Sequence, residues 1–381
     1  MCLLAIRRMV AYNKAIFVEK SEGKLKMKIG ILTSGGDCPG LNATIRGAAK
    51  AIYEQVKDPQ IVGIVDGYHG LIHGESHKMN PEDFSGILTR GGTILGTSRQ
   101  PYKKMRVIED NIDKVENMKA NYKKMGLDCL LILGGNGTHK TAKLLSDEGL
   151  NVIGLPKTID NDIWGTDVTF GFHTAVDIAT DVIDRIHTTA CSHKRVMVIE
   201  IMGNKAGWLT LYSSIAGGAD IVVIPEIPFD VDKIAESVQR RADKGKNFSI
   251  VVVAEGAMDK EEAKLKKKER AKQRQERGEI TATNRIAAGI SERIGFDTRV
   301  VVPGHIVRGG SPSSYDRVLA TQFGVYAAEL IEQRTFGVSV AMKNNVVTHN
   351  PLEDVAGITK FVPTDHQMIR IARKIGMSFG D

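Results

Sequence analysis

Residues 130–162 read LLILGGNGTHKTAKLLSDEGLNVIGLPKTIDND. The apolar run 130–133 has no alternation, which suits a strand covered on both faces of a parallel sheet. Gly134, Gly135 and Gly137 follow, where the absence of a Cβ lets the backbone turn sharply and approach a ligand. The spacing then predicts a helix over 138–145, whose free N–H groups and positive dipole end suit a phosphate. After a second strand over 151–155, Pro156, Lys157, Thr158, Asp160 and Asp162 place a cation, a hydroxyl and two acids at a strand's C-terminal end. Ligands of open α/β sheets sit at that edge. The stretch therefore predicts a phosphoryl donor on the glycine turn and its acceptor against Asp160.

Working outward, the same unit recurs. A strand over 28–32 runs into SGGDCPGLN at 34–42, and Leu41, Ile45, Ala48 and Ile52 then repeat at helical spacing. A further strand over 61–65 precedes a third glycine loop, RGGTILGTSR at 90–99. Arg99 on that loop could neutralise charge on a transferring phosphoryl group, or lie solvated on the surface. Beyond residue 172 the alternation starts afresh, with helices over 175–186, 205–215 and 231–242 and strands over 196–201, 221–224 and 249–254. The fold class expected is α/β, with two doubly wound, Rossmann-like domains built on mostly parallel sheets. The expected boundaries are 27–171 with about 307–357 for the donor domain, and 172–306 with about 358–381 for the acceptor domain.

Two segments stand apart. Residues 1–26 are expected to be a disordered N-terminal extension, since MCLLAIRRMV is too short and too interrupted by Arg7 and Arg8 to span a membrane. Residues 258–279, containing EEAKLKKKERAKQRQERG, are almost all charge, and are expected to be a solvated helical insertion that packs little of itself. Later, a helix over 286–294 and a strand over 298–302 lead to PGHIVRGGSP at 303–312. There Arg299, His305 and Arg308 fall within ten residues and suggest an oxyanion clamp. A long helix over 315–332 and a hairpin over 338–347, turning at Asn344 and Asn345, complete the reading.

Composition excludes more than it identifies. At 381 residues, with 42% hydrophobic and 25% charged, the chain is that of a globular protein large enough for two cores. The net charge of +7 is not gathered into a stripe, so no nucleic-acid or membrane partner is expected, and anionic small substrates are. Four scattered cysteines without a C-x-x-C pair fit a reducing cytosol.

With these residues in view, the chain resembles the phosphofructokinase family. SGGDCPGLN, GGTILGTSR, GGNGT at 134–138, PKTIDND at 156–162, MG at 202–203, AEG at 254–256 and PGHIVRGGSP occur in the family's order from Met27 to the C-terminus. The resemblance implies phosphoryl transfer to the 1-hydroxyl of fructose 6-phosphate, giving fructose 1,6-bisphosphate. It makes Asp160 the base, with Thr158 beside it, and Met202, Gly203 and Glu255 the holders of the sugar hydroxyls. Arg195 and Arg299 would reach in from a neighbouring subunit to join His305 and Arg308 on the 6-phosphate, implying a homodimer or homotetramer. Gly36, Arg99, Gly135, Asn136, Gly137 and Thr138 match donor-binding positions, with Arg99 also catalytic, and Mg²⁺ would rest on Asn136 and Asp162.

Departures from the family pattern matter. Most members carry Asp where Asn136 stands, and an amide is the weaker ligand. Asn204 replaces an arginine of many ATP users. Gly137 with Lys157 is a mixed signature: pyrophosphate users tend to have Asp and Lys there, bacterial ATP users Gly at both. A carboxylate at 137 would repel the α-phosphate of a nucleotide and glycine leaves that space open, so ATP is the expected donor and pyrophosphate the alternative. Arg46 and Lys50 match basic effector-site positions, but His187 replaces an arginine, so nucleotide activation is expected to be weak or absent. A nicotinamide oxidoreductase fits poorly, because neither turn has G-x-G-x-x-G spacing. A non-catalytic nucleotide-binding protein would have no need of Asp160.

Overall fold

The structure is a computed structural model that describes residues 26–381; the extension expected over 1–26 lies, except for its last residue, outside the described residues. Strands are β1 (Lys26–Ser34), β2 (Lys57–Ile64), β3 (Ser76–Met79), β4 (Cys129–Gly134), β5 (Val152–Pro156), β6 (Val196–Ile201), β7 (Ile221–Val223), β8 (Ser249–Ala254), β9 (Thr298–Val301), β10 (Val338–Lys343) and β11 (Val346–Pro351). The principal helices are α1 (Leu41–Gln55), α2 (Lys114–Lys124), α3 (Asn136–Asp147), α4 (Phe172–His193), α5 (Trp208–Ala216), α6 (Val231–Asp243), α7 (Lys260–Lys264), α8 (Lys267–Glu276), α9 (Thr283–Ile294), α10 (Ser314–Glu332) and α11 (Gln367–Lys374).

Two sheets form, as the alternating pattern requires. The first has seven strands in the order β11-β10-β5-β4-β1-β2-β3; the second has four, β7-β8-β6-β9. Every pairing in the second is parallel. In the first, only the outermost pairs are antiparallel, β2 with β3 and β10 with β11. Every residue of β4 is buried, which is why its sequence shows no alternation. The β10–β11 turn puts Asn344 at φ 51° and Asn345 at φ 62°, the left-handed pair that a two-residue hairpin demands.

The chain visits each sheet twice. After β9 it returns through α10 to lay β10 beside β5, then crosses again: the indole nitrogen of Trp208 donates to the Lys360 carbonyl at 2.9 Å, and Ser378 bridges Ile221. A buried acid fixes the other junction. Asp316 on α10 accepts the amides of Gly171 and Thr174 at 2.9 and 2.7 Å, satisfying donors left free at the start of α4.

Three local features depart from expectation. The helix after β4 starts at Asn136, two residues early, so Gly137 lies in its first turn. The segment between β2 and β4 carries β3 and α2, neither of which the sequence suggested; α2 buries only Val115 and Met118, too little for a visible stripe. The charged insertion forms α7 and α8 and is mostly exposed, as expected, but it is also anchored: Glu262 is fully buried and Arg274 nearly so.

Candidate active site

The C-terminal ends of β1, β4 and β5 share one edge, because these strands are adjacent and parallel. The glycine turns there are joined side to side: the Thr138 hydroxyl donates to the Ser34 carbonyl at 3.3 Å. The 90–99 loop is stitched to the same platform. Gly35 N–H donates to Ser98 O at 3.0 Å, the Thr97 hydroxyl to Gly35 O at 2.7 Å, and Asn42 takes the Ile94 amide at 2.8 Å while donating to the Arg90 and Gly91 carbonyls. Gly36, Gly135, Asn136, Gly137, Thr138 and the base of Arg99 are thereby gathered together. Arg99 itself is exposed.

Gly137 is informative for what it does not touch. A Cβ built there meets nothing within 4 Å, so neither packing nor backbone demands glycine, and the space above the helix start stays open. Asn136 donates its amide to the Ile358 carbonyl at 3.0 Å, which leaves its buried Oδ1 without a partner among the described residues.

Asp160 lies 7% exposed near the start of the loop after β5, and its amide donates to the Thr158 hydroxyl at 3.1 Å. Its Oδ1 has no hydrogen-bond partner among the described residues. Burial pushes its carboxyl up to about 7, with Asp162 and Glu255 adding to the rise, while Arg308 and Lys157 oppose it. Asp162 is also raised, chiefly by burial, and is opposed by its own backbone amide and by Lys360, Lys157 and Lys205. Lys157 is itself buried, which lowers its pKa, and its ammonium donates to the Gly36 carbonyl. Arg308 donates to the Asp37 carbonyl at 3.2 Å and packs on Gly36, where an added Cβ would come 3.0 Å from its Nη1. A buried carboxylate with a free oxygen, flanked by two cations and beside paired glycine turns, can take a proton where an anion is being handled.

The second sheet contributes from its own C-terminal edge. Met202 and Gly203 end β6, and Glu255 ends the neighbouring β8, where its Oε1 accepts the Asn204 amide at 2.6 Å. Arg308, on the loop after β9, reaches the first glycine turn at the Asp37 carbonyl, and the Glu255 charge adds to the rise at Asp160, so the two edges lie near each other. His305 is exposed on the loop that carries Arg308. Arg195 and Arg299 are not brought to this place. They sit at the starts of β6 and β9, at the opposite end of the sheet, sharing Asp297: Arg195 Nε donates to it at 2.6 Å and Arg299 pairs with its other oxygen.

Sequence reasoning missed two participants. Lys360 donates to Asn161 Oδ1 at 3.0 Å and to the Thr166 and Asp167 carbonyls at 2.8 and 3.0 Å, and thus holds the Asp160–Asp162 loop from behind. Asn42 knits the 90–99 loop to the first turn. Lys360 sits in a segment without periodicity and left no signal, whereas Asn42 stood inside the quoted motif.

The sequence matches the family described as Phosphofructokinase over residues 28–331. Among curated proteins it is 58% identical to "ATP-dependent 6-phosphofructokinase" of Spirochaeta thermophila, covering 92% of this chain and 97% of that one. It is 47% identical to "ATP-dependent 6-phosphofructokinase 3" of Bacteroides thetaiotaomicron, over 93% of this chain and 100% of the other. A "Pyrophosphate--fructose 6-phosphate 1-phosphotransferase" of Amycolatopsis mediterranei is 45% identical, over 89% and 97%. Among solved structures, phosphofructokinase from Saccharomyces cerevisiae superposes with a TM-score of 0.73 at 32% identity, over 86% of this chain and 45% of that larger one.

Proposed function

The chain belongs to the phosphofructokinase family, and from that premise we propose how its residues perform ATP-dependent phosphorylation of fructose 6-phosphate at the 1-hydroxyl. The observation that carries the mechanism is the buried, unpartnered Oδ1 of Asp160. Phosphoryl transfer asks the protein for in-line placement, charge neutralisation and a proton acceptor beside the attacking hydroxyl. Asp160 accepts that proton, Thr158 orients it, and Met202, Gly203 and Glu255 hold the sugar. The glycine platform, with Gly36, Gly135, Asn136, Gly137 and Thr138, seats the ATP phosphates, and Arg99 reaches them from the 90–99 loop. His305 and Arg308 take the 6-phosphate.

Mg²⁺ fits the donor set. Among the described residues no group of three or more His, Cys, Asp or Glu could hold a metal ion by itself; magnesium is commonly held by one or two carboxylates together with substrate phosphates and water. Asp162 and the orphaned Oδ1 of Asn136 would hold it, both beside the 358–360 segment. Bound there, Mg²⁺ would neutralise developing charge on the phosphoryl group.

Pyrophosphate as donor is favoured by one observation, the buried cation of Lys157 at the Gly36 carbonyl. Against it stands Gly137, where an added Cβ meets nothing within 4 Å and no side chain would stand in the way of a nucleotide's α-phosphate. Turnover of fructose 6-phosphate measured with each donor tests this: activity with pyrophosphate and none with ATP would overturn the reading.

The placement of Arg195 and Arg299 supports a homodimer or homotetramer in which each completes a neighbour's site. Mixing two inactive variants, Arg299→Ala and Asp160→Asn, should then regenerate activity, since a hybrid keeps one intact site. No described helix is long and apolar enough to cross a membrane, and we place the enzyme in the cytoplasm with the substrates of glycolysis.

A further inference from the structure

The charged segment between β8 and α9 is anchored by its ends. Arg274 Nε and Nη2 donate to Glu262 Oε1 and Oε2, both at 2.8 Å, and Nη2 also donates to the Ala257 carbonyl at 2.7 Å. Arg285 joins the same group, donating to Asp259 at 2.6 Å and lying 3.0 Å from Glu262. At the far end the hydroxyls of Thr281 and Thr283 both donate to Glu200 Oε2 at 2.5 Å.

These anchors fall beside the sugar-binding residues. Ala257 is two residues past Glu255 on the β8 end, and Glu200 is two residues before Met202 on the β6 end. The two ends touch each other closely: a Cβ added at Gly256 would come 2.1 Å from the Asn204 carbonyl. A cleft of about 940 Å³ lies between α8 and the loop ends, bordered by Asn204, Gly256, Arg270, Ile280 and Phe361. The attachment therefore runs through the polar anchors more than through an apolar interface. A guanidinium held off water is tolerated when its fork is met, and breaking one partner leaves a buried charge uncompensated.

We propose that the charged segment is a strap that sets the relative position of the β6 and β8 ends, with Arg274 as its positioning residue. This rests on the assignment of Met202, Gly203 and Glu255 to the sugar. Arg274 never meets substrate; it fixes the Ala257 carbonyl, hence the path of the chain that presents the Glu255 carboxylate. Misplacement by a fraction of an ångström there weakens sugar binding without disturbing the glycine platform, which the strap does not touch.

The test compares Arg274→Ala, Arg274→Lys and a control, Lys272→Ala, on the same helix. Arg274→Ala should raise KM for fructose 6-phosphate about tenfold while KM for ATP stays within about twofold. Arg274→Lys keeps the charge but loses the fork, so it should fall between. Lys272→Ala should match the wild type. Hydrogen exchange at residues 255–259, read without substrate, should quicken in the same order. A folded Arg274→Ala enzyme with wild-type sugar KM and protected 255–259 amides overturns the proposal, as does a parallel rise in both KM values. If Arg274→Ala does not fold, Arg274→Lys and Glu262→Gln carry the same comparison. Failure of the wild type to use fructose 6-phosphate would instead refute the functional assignment, and the exchange measurement would still decide whether the strap sets these loops.

Discussion

Lowering the pH should switch the enzyme off through Asp160 rather than through unfolding. Burial, Asp162 and Glu255 push this carboxyl up to about 7, and only the ionised form can accept the sugar proton. With a midpoint of about 7, roughly nine-tenths of Asp160 is ionised at pH 8 and about one-tenth at pH 6. The ratio kcat/KM for fructose 6-phosphate, which reports the free enzyme, should accordingly fall about tenfold between those pH values. The second ionisation of the substrate's own phosphate, near pH 6, lies in the same window. Glu255→Gln separates the two, because removing a neighbouring negative charge must move the Asp160 midpoint down and leaves the substrate's ionisation where it was. Stability runs in step with the sign of the shift. A carboxyl raised in the folded state contributes stability that is fully present below its unfolded pKa and is lost as pH rises through about 7, so acid inactivation in this window should occur without loss of fold. A profile flat from pH 6 to 8, or one whose midpoint is identical in Glu255→Gln, would refute the reasoning.

Other outcomes follow from single contacts. Asp160→Asn should lower kcat by about 10²–10⁴ with sugar KM little changed, as steady-state kinetics would show, because it removes the proton acceptor and keeps the shape. Gly137→Asp, entering space that is open within 4 Å, should raise KM for ATP about tenfold or more and raise KM for pyrophosphate less, read in a two-donor assay. Asp316→Ala strips two buried amides of their acceptor, so thermal unfolding should show a loss of about 2 kcal/mol or more while kcat of the folded enzyme is retained.

The sequence announced the βα alternation because fully buried parallel strands admit almost only apolar residues, as in β4 and β8. Some glycines were legible for a related reason: an added Cβ at Gly91 would run into the Gly310 carbonyl and Gly35 takes a positive φ, so little else can stand there, whereas Gly137 is under no such constraint. What stayed hidden is what depends on distant partners. Helix α2 buries two side chains and so prints no stripe, and Lys360 acts on carbonyls some 200 residues earlier in the chain. The insertion is helical and exposed over most of its length, as a run of charge suggests; what stayed hidden is that Glu262 and Arg274 find each other. Likewise, spacing alone grouped Arg299 with His305 and Arg308, yet β9 carries Arg299 at its start and the other two lie beyond its end.

The double return of the chain to each sheet has a consequence for how the molecule can be made and unmade. Strand β5 gains its outer neighbour only when β10 arrives, and Ile221 on β7 gains its bridge only when Ser378 arrives. Until both segments have been made each sheet lacks a partner, and neither sheet with its partners can be cut out as one uninterrupted piece of gene. Deleting residues 338–381 should therefore injure the two sheets together, the nearer and the farther alike.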